Sequence, residues 1–247
     1  MNFINNKVVI VTGASSGIGA ATAKAIAKRG ARVVAAALDD SGLRAVVAEI
    51  EAEGGTAISL VTDVTDPQSA QALIDYAVEC FDTVDVLINN AGLMFFSQWK
   101  DLALDEWNQM IDVNIRGYLH TIHAVLPIML KQGSGHIVNM ASLAGHVAHE
   151  GAGVYSATKF FVAAMTDGLR KELSVRDGIR ATAISPGVIN TGWPAKLSDP
   201  EARKSAEELA KVAIEPESVA SAVLYAVDQP DEVTINDLLV SPTRQPW

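Results

Sequence analysis

KVVIVTGASSGIGAATAKAIAKR, residues 7–29, decides the fold. Its opening, 7–12, is a β-branched run that stops at Gly13 and reads as a short strand. Residues 17–29 are rich in alanine, contain no proline and read as a helix. Between them Gly13, Gly17 and Gly19 are spaced G-x-x-x-G-x-G. A tight turn needs positive φ or a bare α-carbon, and the helix N-terminus that follows offers unpaired N–H groups to an anion. The expected guest is the pyrophosphate of a dinucleotide, with Ser15 and Ser16 adding hydroxyl donors. A glycine turn without a ligand is the alternative. Placement after the first strand of a β-α-β unit favours the phosphate cradle.

Outward from this unit the chain keeps alternating. Strands are predicted at 31–37, 56–62, 84–90, 135–142, 179–185 and 233–240. Helices are predicted at 43–54, from Asp66-Pro67 onward, over 105–132, 153–176 and near 200–211, and from Pro216 onward. Asp66 can cap its helix and Pro67 fits the first turn. Pro127 is expected to bend or end the long helix locally. Such alternation predicts an α/β protein with a parallel sheet and helices on both faces. No repeat or linker divides the chain, so 1–247 reads as one domain.

Hydrophobic residues make up 49% of the 247 and charged residues 19%, enough for strands buried on both faces. No apolar run approaches the length of a membrane span. The N-terminus carries no secretory pattern, and Cys80 is the single cysteine, expected to be a packed thiol. A cytoplasmic location is the resulting expectation. The formal net charge of −10, without a basic stripe, argues against nucleic-acid binding.

In YSATK, Tyr155 and Lys159 stand four apart on a predicted helix, so both leave the same face. An exposed amphipathic pair would look the same. A nearby ammonium, however, lowers a phenol's pKa and suits it to exchanging protons.

TGASSGIG (12–19), NNAG (89–92), Ser142 at a strand end and YSATK (155–159) together resemble the short-chain dehydrogenase/reductase family, in order and spacing across nearly the whole chain. The resemblance implies a Rossmann-type, doubly wound, seven-stranded parallel sheet, usually in a homotetramer. It implies a hydride exchange between NAD(P) and a ketone or secondary alcohol. Tyr155 is then the general acid/base, Lys159 also holds the nicotinamide ribose, and Ser142 binds the reacting oxygen. Asn114 matches the asparagine that holds a water near the lysine.

The resemblance also implies cofactor contacts from Ile18 in the glycine loop, Asp63 and Val64 at the adenine, and Asn90, Ala91 and Gly92 along the dinucleotide. Pro186, Gly187, Val188 and Thr191 would meet the nicotinamide side. At the end of the second strand NAD users commonly carry aspartate where this chain has Ala37, and NADP users often carry arginine where it has Leu38 and Asp39. Sign of charge breaks the tie: no basic residue lies from 33 to 43, and a carboxylate near a 2′-phosphate is unfavourable, so NADH is expected over NADPH. Capping of the next helix by Asp39 and Asp40 is compatible with this.

Substrate is expected beyond the carboxyl ends of the strands. Leu93, Met94, Phe95, Phe96, Leu143, Val147 and Trp193 lie on segments that end there and suggest a mainly apolar pocket for a hydrophobic ketone or alcohol. Residues 190–212 read as a lid. His120 and His123, like His146 and His149, are three apart, but no further ligands suit a metal; the second pair reads as solvated loop histidines. Trp247 is expected at a subunit contact. The competing readings are a dinucleotide-binding regulatory protein without turnover, and an enzyme of the same family acting on a sugar, steroid or acyl-carrier substrate.

Overall fold

The computed structural model describes residues 2–193 and 200–245. Chain order is β1 (Val8–Thr12), α1 (Gly17–Ala27), β2 (Arg32–Ala37), α2 (Asp40–Ala52), β3 (Thr56–Val61), α3 (Pro67–Phe81) and β4 (Val86–Asn89). It continues through α4 (Leu104–Ile111), α5 (Gly117–Gln132), β5 (Gly135–Met140), α6 (Gly153–Asp177), β6 (Ile179–Pro186), α7 (Pro200–Ala210), α8 (Pro216–Val227) and β7 (Asp237–Val240). The seven strands form one sheet in the order β3-β2-β1-β4-β5-β6-β7. Every pairing is parallel. This is the Rossmann-type doubly wound arrangement the sequence predicts.

Strand alternation splits the apolar side chains between two cores. Val9, Val11, Val33 and Ala35 face one side, where α1, α2 and α8 cover them through Ile26, Leu43 and Val223. Val8, Ile10, Val34 and Ala36 face the other, against α3, α5 and α6. Both faces are apolar, which is why the strands read as continuous β-branched runs rather than alternating ones. Strand order reverses between β1 and β4, so a crevice opens there at the carboxyl ends, where doubly wound sheets bind ligands.

Three expectations are corrected. The helix predicted over 105–132 is two helices joined by a π-turn, Asp112–Arg116, while Pro127 stays inside α5. The strand predicted over 233–240 narrows to Asp237–Val240. Cys80 is exposed at the end of α3 rather than packed. The expected lid, 190–212, lies partly outside the described residues, which include Thr191–Trp193 and the α7 backbone. Trp247 lies wholly outside them. No described helix is long and apolar enough to cross a membrane.

Candidate active site

The glycine loop is built to exclude side chains. Gly13 has φ +65° and Gly17 φ +53°, both in the left-handed region. A β-carbon on Gly19 would lie 2.1 Å from the Gly13 carbonyl oxygen and 2.5 Å from Asn90 Nδ2. Asn90 sets this close approach, its Nδ2 donating to the carbonyls of Thr12 at 2.9 Å and Gly13 at 3.2 Å. Thr12 Oγ1 in turn accepts from the backbone N–H of Asn90 and of Ala91. The Asn90 side chain therefore braces the loop. The first turn of α1 carries no acidic residue, and Ser16, at its N-cap, spends no side-chain hydrogen bond on the helix. A bare backbone at a helix N-terminus with an uncommitted hydroxyl fits a pyrophosphate.

Other expected cofactor residues converge on this loop. A β-carbon on Gly17 would sit 3.2 Å from Thr191 Cγ2, which brings the segment after β6 against the start of α1. A β-carbon on Gly42 would meet both Asp39 Oδ2, at 2.6 Å, and the Ser15 carbonyl, at 2.8 Å. Asp39 and Ser15 thus flank one point at the end of β2. Asp39 Oδ1 accepts the α2 cap bonds, from Ser41 N–H, Ser41 Oγ and Gly42 N–H. These bonds, the Ser41 hydroxyl first, hold its carboxyl below the usual carboxylate range. Leu38 beside it is 69% exposed, on the rim rather than in the crevice. Asp63 folds back on Thr65, and Val64 is buried against Gly117 at the start of α5.

Tyr155 and Lys159 leave α6 one turn apart. Lys159 is 4% exposed and its Nζ donates to the Met140 carbonyl at 2.8 Å. The same nitrogen lies 5.8 Å from the Tyr155 ring centroid and 5.6 Å from that of Tyr118. Burial pushes the lysine from 10.5 down to about 7. Burial also pushes the Tyr155 phenol up, opposed by a hydrogen bond from the Ser142 hydroxyl. The expectation that Lys159 lowers the tyrosine pKa is not met in the free protein. Desolvation outweighs the Ser142 hydrogen bond there, and burial itself disfavours the lysine's charge.

Ser142 sits two residues beyond β5, capping the 3₁₀ turn Leu143–Gly145 by accepting from the Ala144 N–H at 3.1 Å. Asn114 lies in the π-turn and is fully buried. It accepts from the Leu93 N–H and donates to the Leu93 carbonyl, both at 2.8 Å, and it also donates to Thr158 Oγ1 at 3.1 Å. Both amide protons are committed, so the side chain clamps the segment after β4 to α6. Thr158, which donates to the Tyr155 carbonyl at 2.7 Å, was not singled out in the sequence. Its place inside YSATK, facing the helix that carries Asn114, was the available signal. A β-carbon on Gly92 would lie 3.3 Å from Asn114 Oδ1 and 3.8 Å from Lys159 Nζ. NNAG and YSATK therefore meet.

At the outer end, the Phe96 and Trp193 rings are 5.6 Å apart between centroids, so the segments after β4 and β6 touch over the crevice. Leu93, Met94, Phe95 and Leu143 are half-buried, and Val147 is exposed on its loop. Gly187 and Val188 are pinned by the chain's end: Gly187 N–H donates to Val240, and Val188 N–H to Gln245 Oε1 at 3.0 Å. Of the histidines, His120 Nδ1 lies 2.9 Å from the Val64 carbonyl. His146, expected to be solvated, is exposed on its loop and in addition contacts Ser185 through Nε2. Among the described residues no group of three or more His, Cys, Asp or Glu is gathered for a metal.

Residues 7–202 match a family model described as short chain dehydrogenase. Over 247 residues the chain is 45% identical to an uncharacterised oxidoreductase of Staphylococcus saprophyticus, with 99% of each chain covered. A metagenomic short-chain oxidoreductase, solved in complex with NADP, is 32% identical with a TM-score of 0.82 over 97% of this chain and 98% of that one. A short-chain dehydrogenase/reductase from Burkholderia phymatum, solved with NAD, is 27% identical with a TM-score of 0.87, covering 97% of this chain and 90% of that one.

Proposed function

This chain belongs to the short-chain dehydrogenase/reductase family of oxidoreductases, and from that premise we propose that it interconverts a hydrophobic ketone and its secondary alcohol. The observation that carries the reading is the meeting of Ser142, Tyr155 and Lys159 beside Gly92, at the carboxyl ends of the strands. When bound, a nicotinamide supplies or accepts the hydride. In reduction Tyr155 gives its phenolic proton to the carbonyl oxygen as that oxygen gains charge, and Ser142 donates a hydrogen bond to the same atom. In oxidation the phenolate takes the proton back. The raised phenol pKa keeps Tyr155 protonated and ready for reduction. Lys159 holds the nicotinamide ribose, and a charged ammonium there stabilises the phenolate left behind.

NADH is the favoured cofactor. The ionised Asp39 stands beside Ser15 where an adenosine ribose would lie, and its carboxylate repels a 2′-phosphate. Aromatic and aliphatic side chains after β4 and β6 favour an apolar substrate over a sugar. The homotetramer implied by the family resemblance belongs to the same reading, and light scattering checks it.

Turnover of a panel of ketones and alcohols, followed at the nicotinamide absorbance with both cofactors, tests the proposal. Tyr155→Phe is expected to lower kcat by about 10²–10⁴-fold, the usual worth of a general acid, with cofactor affinity unchanged. Near-normal turnover in that variant would remove the tyrosine from its role. A tenfold NADPH preference in kcat/KM would end the NADH assignment.

A further inference from the structure

His146 closes a ring of contacts around Ser142. It is the residue immediately after the Leu143–Gly145 turn, and its N–H donates to the Leu143 carbonyl at 2.9 Å. Its Nε2 lies 3.0 Å from Ser185 Oγ on β6 and 3.8 Å from Asp237 Oδ2 on β7. Ser185 Oγ donates to Asp237 Oδ1 at 3.3 Å. A hydroxyl has one proton, and Ser185 gives it to a carboxylate that has none to return. With the Ser185 proton on Asp237, the imidazole Nε2 carries a hydrogen and donates to Ser185. The next residue, Pro186, places its carbonyl 3.5 Å from Ser142 Oγ. The ring thus runs from Ser142 through its turn to His146, across to Ser185, and back through Pro186.

The turn also bears on the other half of the site. A β-carbon on Gly145 would lie 2.7 Å from the Lys159 carbonyl oxygen, so the turn rests on the backbone of α6 one residue before the ring closes. A shift of the turn moves Ser142 relative to Tyr155 and Lys159.

We infer that His146 is a positioning residue for Ser142, acting by Nε2–H donation to Ser185 and so tying the Ser142 turn to β6 and β7. It touches no reacting atom in this scheme. The kinetic part of the inference rests on the oxidoreductase reading, whereas the geometric part does not.

Three variants test it: His146→Phe keeps a ring and removes the donor, His146→Gln returns an N–H, and Ser185→Ala removes the acceptor. Hydrogen exchange of the amides of residues 144–146 is expected to quicken about threefold to tenfold in His146→Phe, the worth of one hydrogen bond. His146→Gln restores protection, Ser185→Ala reproduces the loss, and the double variant adds little to either. In turnover, kcat falls by a similar factor in His146→Phe while KM for the cofactor stays put, and Gln recovers it. Unchanged exchange in His146→Phe overturns the inference, as does a Gln variant as unprotected as Phe, which would reduce His146 to packing. Exchange decides this even if the wild-type chain turns over no ketone or alcohol, an outcome that sinks the oxidoreductase reading alone.

Discussion

Gly19 shows how little latitude the cofactor loop has. Its α-carbon stands so close to Gly13 and Asn90 that a methyl would overlap a backbone carbonyl, which cannot rotate away. Gly19→Ala is therefore expected to break the Asn90 brace and weaken dinucleotide binding by at least tenfold, the effect of losing about one to two hydrogen bonds. Gly54 makes the contrast. Its φ is +82° but no atom lies near its missing side chain, so Gly54→Ala should cost only about 1–2 kcal/mol of left-handed strain and leave cofactor affinity alone. Titration of nicotinamide fluorescence together with urea unfolding separates the two, and equal affinities in both variants would count against the cradle. The glycine spacing and the Tyr155–Lys159 spacing were legible because each follows from chain geometry over a few residues. The direction of the Tyr155 shift was not, because desolvation depends on what packs around α6, which spacing does not contain.

At the scale of elements, nearly every strand and helix was legible, since a doubly wound sheet writes its order into alternating runs. The π-turn was the exception. An apolar pattern continues through 105–132, and one extra residue in a turn shifts its phase without interrupting it. Pro127 looked like the break, yet a helix interior can hold a proline at the cost of one hydrogen bond. The irregular hydrogen bonding of a π-turn is offset here by Asn114, which satisfies the Leu93 N–H and carbonyl of a segment with no strand partner. Asn114→Ala would leave those groups and Thr158 short of partners. The expected loss is about 1–3 kcal/mol per buried unsatisfied group. It should appear as a lower urea midpoint with an unchanged slope, alongside reduced kcat. A variant as stable as wild type would mean that the π-turn holds itself.

At the scale of the whole molecule, pH acts on the end of the sheet opposite the site. His136 pairs with Arg180 near the start of the β5–β6 ladder, is 1% exposed, and has Nε2 2.7 Å from Thr182 Oγ1. Thr182 gives its own proton to the Ile235 carbonyl, so His136 donates through Nε2 and its Nδ1 faces no acceptor. Protonation would bury a second N–H without a partner, near the Arg180 guanidinium that ties β6 to the carbonyls of Gln229, Pro230 and Val233. Burial first, and Arg180 second, hold the folded-state pKa well below 6.5. In the window between that depressed value and 6.5 the unfolded chain binds more protons than the folded one. The His136 contribution is thus full above about pH 6.5 and is lost progressively as pH falls below it. The net charge of −10 acts in the opposite sense, because acid neutralises carboxylates and relieves self-repulsion. Wild-type stability is therefore expected to drop between pH 7 and 5 despite the falling charge. His136→Gln keeps a donor for Thr182 without a titrating ring, and its urea midpoint should fall less than that of the wild type over the same range. Parallel pH profiles for the two proteins would show that acid acts through another group.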